Sequence, residues 1–180
     1  MPAWKTQEEG EGIQASGGQA EGPDPGGGPA GRQDPHLRSV VEVDIHVPQA
    51  RLAALFADPG QSTKWMEDIE RMEPVSGQLG TVGSTYRLVP KHGKRVFLVT
   101  VTSRDLPTEV QLSLEASDVT VSVKGTLVAV SSETTRLTSD EMFHFKGPFG
   151  KVMGLLAQGA IKTAHRRHME AFKRFAESQA

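Results

Sequence analysis

The feature that most constrains this chain is a series of short segments in which apolar and polar residues alternate, with no helical segment between them from residue 69 onward. Val41, Val43 and Ile45 alternate with polar residues, and the same period of two recurs over residues 110–115 and from residue 119 onward. A period of two is typical of a strand with one buried face and one solvated face. Strands joined by short turns predict an antiparallel sheet and argue against a parallel βαβ arrangement.

Helical spacing follows the first of these strands. Pro48 suits the first turn of a helix, and Leu52 and Phe56 share one face of it. Asp58-Pro59-Gly60 should end this helix. A second short helix is predicted over Ser62–Met66.

A long C-terminal helix is predicted after Gly147-Pro148-Phe149-Gly150, running to about Glu177. Its first half, to Ala164, is apolar nearly all round and should be covered, whereas the basic second half should be solvated. The first half also contains small residues at 154, 157, 159 and 160. Since glycine weakens a helix, these residues indicate either close approach to the sheet or space for a ligand.

Composition divides the chain into two parts. Residues 1–37 are rich in glycine and proline and hold few large apolar side chains. Such a segment cannot bury enough apolar surface to offset chain entropy, so we expect a disordered tail. The remaining residues, 38–180, should form one α+β domain: a curved antiparallel sheet of six or seven strands wrapped on the long C-terminal helix, with two short helices after the first strand.

Several classes of function and location are disfavoured. The absence of cysteine excludes disulfides, thiolate metal sites and cysteine nucleophiles. A net charge of −2 offers no field that would attract nucleic acid. No apolar run is long enough to span a membrane, and the N-terminus lacks the pattern of a signal peptide, so a cytoplasmic protein is expected.

Several motifs, in this order and at these spacings, resemble one known family. They are Val47-Pro48-Gln49-Ala50-Arg51-Leu52, Leu55-Phe56-Ala57-Asp58-Pro59, Lys64-Trp65-Met66, the glycine-containing bend Gly80–Tyr86, the turn Asp105-Leu106-Pro107-Thr108, and Thr134–Thr138. Between Arg38 and Phe175 the chain resembles the START-like (SRPBCC) superfamily, particularly its polyketide cyclase/dehydrase and lipid-transport branch. The resemblance implies a helix-grip fold with a hydrophobic ligand cavity, but no fixed reaction.

The predicted pocket lies between the concave face of the sheet and the first half of the long helix. Its predicted ligand-binding residues are Trp65, Tyr86, Phe97, Val99, Leu112, Val121, Val123, Phe143, Met153, Leu156 and Ala157. The alternative is that these residues simply pack against one another as core. Trp65 and Tyr86 suit a pocket mouth because each has an apolar body and a polar tip, although Trp65 could instead pack the short helices on the sheet.

Evidence in the sequence for catalysis is limited. His165 and His168 share a helix face, but no third ligand is fixed nearby, so solvent-facing histidines are expected, with no metal and no cofactor. Acid–base chemistry stays open, with Tyr86, Arg136 and His144 as candidates. Strand parity, however, directs Arg136 and His144 to solvent. Ser139 and Glu141 are then the only polar residues of that strand predicted to point inward.

The leading functional prediction is binding or carriage of a hydrophobic or amphipathic small molecule, lipid or polyketide-like, by a monomer or homodimer. One alternative is an enzyme of the polyketide cyclase/dehydrase type acting on such a ligand. Another is a protein-partner module that uses the rim of the groove. Two or more converging titratable groups in the cavity would favour catalysis.

Overall fold

The computed structural model describes residues 37–91 and 95–180, apart from the side chains of Phe149, Lys151, Met153 and Leu155. The predicted tail, residues 1–37, lies outside this part of the chain except for Leu37, where the first strand begins. The strands are β1 (Leu37–Ile45), β2 (Ile69–Ser76), β3 (Thr85–Pro90), β4 (Phe97–Asp105), β5 (Glu109–Glu115), β6 (Val119–Ala129) and β7 (Thr135–Phe145). The helices are α1 (Gln49–Phe56), α2 (Ser62–Trp65), α3 (Gly147–Leu156) and α4 (Gln158–Ser178), with a 3-10 turn at Pro59–Gln61.

In the described residues the strands form one antiparallel sheet of seven, in the order β1-β7-β6-β5-β4-β3-β2. Consecutive strands from β2 to β7 are neighbours, and β1 closes the series by pairing with β7. Short turns can make these connections because antiparallel neighbours need no crossover helix. The predicted α+β helix-grip fold is confirmed.

One end of the sheet and α4 enclose the main core. Alternate residues of β1 are buried, including Val41, Val43 and Ile45, as their period of two predicts. Phe172 of α4 is fully buried against them, which favours folding by roughly 1.5–3 kcal/mol for a side chain of this kind. Its ring also meets Trp65 edge-on, with ring centroids 5.1 Å apart, so the short helices are fixed to α4.

The C-terminal helix is divided, which the sequence did not predict. It consists of α3 and α4, which meet at Ala157. Gly154 lies against the ring of Phe145, where a Cβ atom would overlap that ring. Gly159, by contrast, has nothing within 4 Å of a Cβ position. Close approach to the sheet therefore explains Gly154. Neither close approach to the sheet nor space for a ligand explains Gly159.

The position of α4 leaves space above the middle of the sheet. Among the strands, α4 has its main contact with β1. Tyr86, Leu88, Val99 and Val101 form a separate buried cluster on β3 and β4. A cavity lies between that cluster and α4. No helix in the described ranges, 37–91 and 95–180, is long and apolar enough to cross a membrane.

Candidate functional site

The candidate site is a cavity of about 110 Å³ between the sheet, the short helices and α4. Strands β3 to β7 supply its floor, α1 and α2 close one end, and α4 covers it. The described residues that line it are Phe56, Ala57, Pro59, Ser62, Trp65, Met66, Gly80, Tyr86, Leu88, Val99, Val101, Arg104, Val110, Leu112, Leu114, Val123, Ser139, Glu141, His165, His168 and Met169.

Most of the cavity wall is apolar because of strand alternation. Inward positions of β4, β5 and β6, such as Val101, Leu112 and Val123, carry branched aliphatic side chains. Tyr86 of β3 is buried among them, inside the cavity. The sequence had suggested a position at the mouth of the cavity. Burial raises the pKa of the Tyr86 hydroxyl, which therefore stays protonated.

A polar wall faces this apolar surface. Ser139 and Glu141, on the inward face of β7, both line the cavity, as strand parity predicted. Arg136, on the opposite face, forms an ion pair with Asp44 at 2.7 Å. The inward and outward directions predicted for these side chains of β7 are therefore confirmed. Because Arg136 lies on the outer face, it is no longer a candidate for acid–base chemistry in the cavity.

His165 completes the polar wall, and the prediction that it faces solvent is wrong. It is 3% exposed, since it lies on the same helix face as the buried residues Met169 and Phe172. Its Nδ1 atom is 2.9 Å from the Ser39 hydroxyl oxygen. Ser39 is the register partner of Glu141 on the neighbouring strand, so the sheet places both side chains beneath the imidazole.

The other ring nitrogen of His165 faces the carboxyl group. Its Nε2 atom is 3.5 Å from Oε1 of Glu141, longer than an ordinary hydrogen bond. Within the described part of the chain this buried nitrogen has no hydrogen-bond partner. A buried polar atom without a partner costs free energy, so the gap between Nε2 and the carboxyl group is a place where a ligand group could be stabilised.

Burial shifts the protonation of both groups toward their neutral forms. It raises the pKa of Glu141 to about 7 and lowers the pKa of His165 to about 4. For His165, the nearby His168 and Arg166 act in the same direction, while Asp140 opposes them. At neutral pH the imidazole is therefore uncharged, and the carboxyl group is close to half protonated.

Two polar contacts lie at the edge of the cavity. Arg104 donates a hydrogen bond to the backbone carbonyl of Gly80, which closes the β2–β3 connection over the sheet. His168 is part-buried, and its Nε2 atom lies 3.1 Å from Oδ1 of Asp68. Both side chains are held by protein partners, which leaves the Nε2 atom of His165, facing Glu141, as the polar atom of the described cavity wall without a hydrogen-bond partner.

The predicted ligand-binding residues fall into three groups. Those that line the cavity are Trp65, Tyr86, Val99, Leu112 and Val123. Trp65 also packs on Phe172, so it contacts α4 as well as the cavity. Ligand binding by these residues stays a prediction.

The second group packs elsewhere in the molecule. Phe97, Val121 and Phe143 belong to the cluster around Val119 and do not line the cavity, although Phe97 also packs on the cluster around Tyr86. Leu156 is 75% exposed and Ala157 is half-buried, and neither is among the residues that line the cavity. For the third group, Met153, the side chain lies outside the described residues. The described residues of the C-terminal helices that line the cavity come from α4, at His165, His168 and Met169, and not from residues 147–164.

The sequence analysis missed Ser39, Arg104 and the role of His165. For His165 a signal existed, because it precedes the buried Met169 by four residues on the apolar stripe of α4. No sequence pattern indicated Arg104. A register shift between Val101 and Ser103 turns its side chain to the face of the sheet that simple alternation assigns to Ser103.

The described residues contain no group of three or more histidine, aspartate or glutamate side chains that could hold a metal ion. The remaining acid–base candidate from the sequence, His144, is half-buried and is not one of the residues that line the cavity. The titratable groups that the structure brings together are therefore Glu141 and His165, with Tyr86 on the opposite wall.

Comparison with known proteins identifies a family. Residues 36–177 match the family model described as polyketide cyclase/dehydrase and lipid transport. No curated protein sequence is similar enough to the chain to count as a relative.

Solved structures share the fold at low sequence identity. A START superfamily protein from Mycobacterium smegmatis is 14% identical with a TM-score of 0.68, covering 81% of this chain and 100% of that one. A protein from Thermus thermophilus is 16% identical with a TM-score of 0.64, covering 79% and 99%. Norcoclaurine synthase from Thalictrum flavum, solved with dopamine and hydroxybenzaldehyde, is 13% identical with a TM-score of 0.61, covering 81% and 88%.

Proposed function

The chain belongs to the polyketide cyclase/dehydrase and lipid transport family, and on that premise we propose that it binds or carries a hydrophobic or amphipathic small molecule in its internal cavity. We expect it to work in the cytoplasm as a monomer or homodimer. The family and the shared fold support ligand binding in general, and the cavity supports this location for it.

The observation that carries the proposal is the distribution of polarity in the cavity. Aliphatic and aromatic side chains form most of the lining, while Ser139, Glu141 and His165 form a polar wall on one side. An amphipathic molecule can leave its apolar body against the first surface and place one polar group at the second. Buried polar atoms in protein cores usually have a hydrogen-bond partner, so the unpartnered ring nitrogen supports a place for a ligand group at this wall.

A cavity-filling substitution tests this proposal. Val123→Phe on β6 places a larger side chain in the cavity lining, whereas Val128→Phe makes the same change at a position of the same strand that is 55% exposed. Native mass spectrometry of the full chain purified from cells should show a co-purified small molecule in the wild type and in Val128→Phe. It should show much less in Val123→Phe. Equal occupancy in the two variants would contradict binding in this cavity.

A second candidate, an enzyme of the cyclase/dehydrase type, is favoured by the pKa of Glu141. A carboxyl group with a pKa of about 7 is matched to proton transfer near neutral pH. In such a reaction the carboxylate would remove a proton from a carbon beside a carbonyl group, and the same proton or one from water would return to the resulting enolate.

Deuterium exchange tests this candidate without knowledge of the product. α-Tetralone, a two-ring ketone, is incubated with the full chain in D₂O, and deuterium at the carbon beside the carbonyl is followed by mass spectrometry. Enzyme activity predicts exchange that is faster than in buffer and that falls at least tenfold in Glu141→Gln. Exchange at the buffer rate would favour the binding role alone.

A further inference from the structure

The Glu141–His165 pair also indicates what kind of polar group the cavity accepts. We propose that the ligand presents a neutral hydroxyl group, as an alcohol, phenol or enol, to the space between the Glu141 carboxyl group and the His165 Nε2 atom. This inference rests on the proposed binding function and specifies its ligand.

The geometry of the pair calls for a bridging group. Oε1 and Nε2 are 3.5 Å apart, and Nε2 has no hydrogen-bond partner among the described side chains and backbone. An oxygen atom placed about 2.8 Å from both atoms would satisfy both. Because Nε2 is fully buried and the ring is held from its other side by the Ser39 hydroxyl group, the Glu141 side chain, which is 21% exposed, turns aside to admit it.

The hydrogen-bonding capacity of the two atoms matches a hydroxyl group. When Nδ1 carries the ring proton and donates to Ser39, Nε2 is an acceptor and needs a donor. The protonated Glu141 carboxyl group is a donor and needs an acceptor. A hydroxyl group supplies both functions at one atom, since it donates one hydrogen bond and accepts two.

The charges around the pair disfavour an ionised ligand group. A carboxylate or phosphate at the pair would lie beside a carboxyl group that is partly ionised at neutral pH. Of the described basic side chains that line the cavity, His168 is paired with Asp68, and the charged Arg104 is held at the cavity edge by the carbonyl of Gly80. An ammonium group would favour the ionised form of Glu141, and an ion pair in the cavity costs desolvation on both sides. On the outer face, Asp140 is already paired with Arg38.

A matched series of two-ring probes tests the inference on the full chain by isothermal titration calorimetry. 2-Naphthol carries the hydroxyl group, 2-methylnaphthalene replaces it with a methyl group of similar size, and 2-naphthoate and 2-naphthylmethylamine carry opposite charges. Two hydrogen bonds of ordinary net strength predict that 2-naphthol binds about tenfold more tightly than 2-methylnaphthalene. Both charged probes should bind more weakly than 2-naphthol.

Substitutions at the Glu141–His165 pair and beside it test whether this pair causes the preference for 2-naphthol. Glu141→Met should remove the tenfold preference for 2-naphthol while retaining affinity for 2-methylnaphthalene. Asp140→Asn, at the adjacent acidic residue on the outer face of β7, should retain the preference. Thermal unfolding of each variant shows that the fold is kept, and His165→Phe, which keeps a ring in place but removes the acceptor, provides a second variant with a reduced preference.

The other outcomes are equally informative. Equal binding of 2-naphthol and 2-methylnaphthalene by the wild type would overturn the hydroxyl inference and leave the binding function in place. Tightest binding of a charged probe would also overturn it. Failure of every probe to bind would contradict the proposed binding function itself, and the inference with it.

Discussion

Glu141 and His165 respond to pH in opposite directions, although burial shifts the pKa of both. Glu141 changes from an ordinary pKa of 4.5 to about 7 on folding, so the folded state keeps a proton that the unfolded chain has lost between these values. Its contribution to stability is therefore complete below pH 4.5 and is lost as the pH rises to 7. His165 changes from 6.5 to about 4, so its contribution is complete above pH 6.5 and is lost as the pH falls to 4.

These opposite contributions nearly cancel between pH 4.5 and 6.5 in the wild type, and Glu141→Gln should separate them. Relative to the wild type, the free energy of unfolding of this variant should rise between pH 4.5 and 7 by an amount on the order of 3 kcal/mol, because the cost of the buried carboxylate is removed. Urea denaturation at a series of pH values measures this difference.

Asp140→Asn is the matched control for this experiment. It is also an acid-to-amide change on β7, but the Arg38 guanidinium holds the pKa of Asp140 below its ordinary value. Its difference from the wild type should therefore be flat between pH 4.5 and 7. A flat difference for Glu141→Gln as well would show that the carboxyl group of Glu141 is hydrated rather than buried.

The sequence predicted that Glu141 points inward, but it did not predict that Glu141 pairs with His165. Strand parity depends on local geometry alone, so it correctly directed Glu141 inward. The apolar stripe of α4 indicates that His165 is buried, but its partners depend on how α4 lies on β1, where Ser39 accepts or donates the hydrogen bond that fixes the ring. This contact joins residues 126 positions apart, and no local pattern encodes it.

Among the secondary-structure elements, β4 and the C-terminal helix show where pattern reasoning ends. Strands such as β1 were predictable because each alternates over its own length, whereas β2 shows no such alternation. The register shift in β4 and the division between α3 and α4 were not predictable, because each depends on a neighbouring element. The shift determines that Arg104 reaches the cavity, so this local irregularity changes the composition of the site.

Gly154 of α3 and Gly159 of α4 give a prediction about the contact between sheet and helix. Gly154→Ala should destabilise the protein by about 1 kcal/mol, because overlap with the Phe145 ring costs more than the helix gains from alanine. Gly159→Ala, where nothing lies within 4 Å, should be neutral or stabilising by up to about 1 kcal/mol. Chemical denaturation of both variants measures the contrast.

A compensating substitution identifies the cause of the Gly154 effect. Phe145→Leu removes part of the ring that a Cβ atom at position 154 would meet, so Gly154→Ala should cost less in the Phe145→Leu background than in the wild type. Equal costs in both backgrounds would show that the helix, and not its contact with β7, sets the need for glycine at position 154.

For the whole chain, the order of elements was enough to predict the architecture. A strand, two short helices, a run of strands and a terminal helix leave few ways to cover a curved sheet. The location of the cavity was less predictable, because it depends on which part of the C-terminal region lies over β3 to β5. The apolar first half of that region was the predicted part, whereas among the side chains that the structure describes there, those that line the cavity include His165 and Met169 of α4.

The boundary of the domain gives the last prediction. Residues 1–36 lie outside the described part of the chain, the family match begins at residue 36, and β1 begins at Leu37. Because the composition of this segment offers little apolar surface to bury, its deletion should change the melting temperature by less than about 2 °C on the usual scale of thermal unfolding.

A slightly longer deletion is the control for this experiment. Removing residues 1–39 takes away Leu37, which is 9% exposed and pairs with Phe143, and also Ser39, which holds the His165 ring. Loss of a buried leucine and a buried hydrogen bond should lower the melting temperature by several degrees, on the order of 5 °C or more. If deletion of residues 1–36 alone had an effect of that size, the fold would extend into the N-terminal segment, and the domain boundary inferred from composition would be wrong.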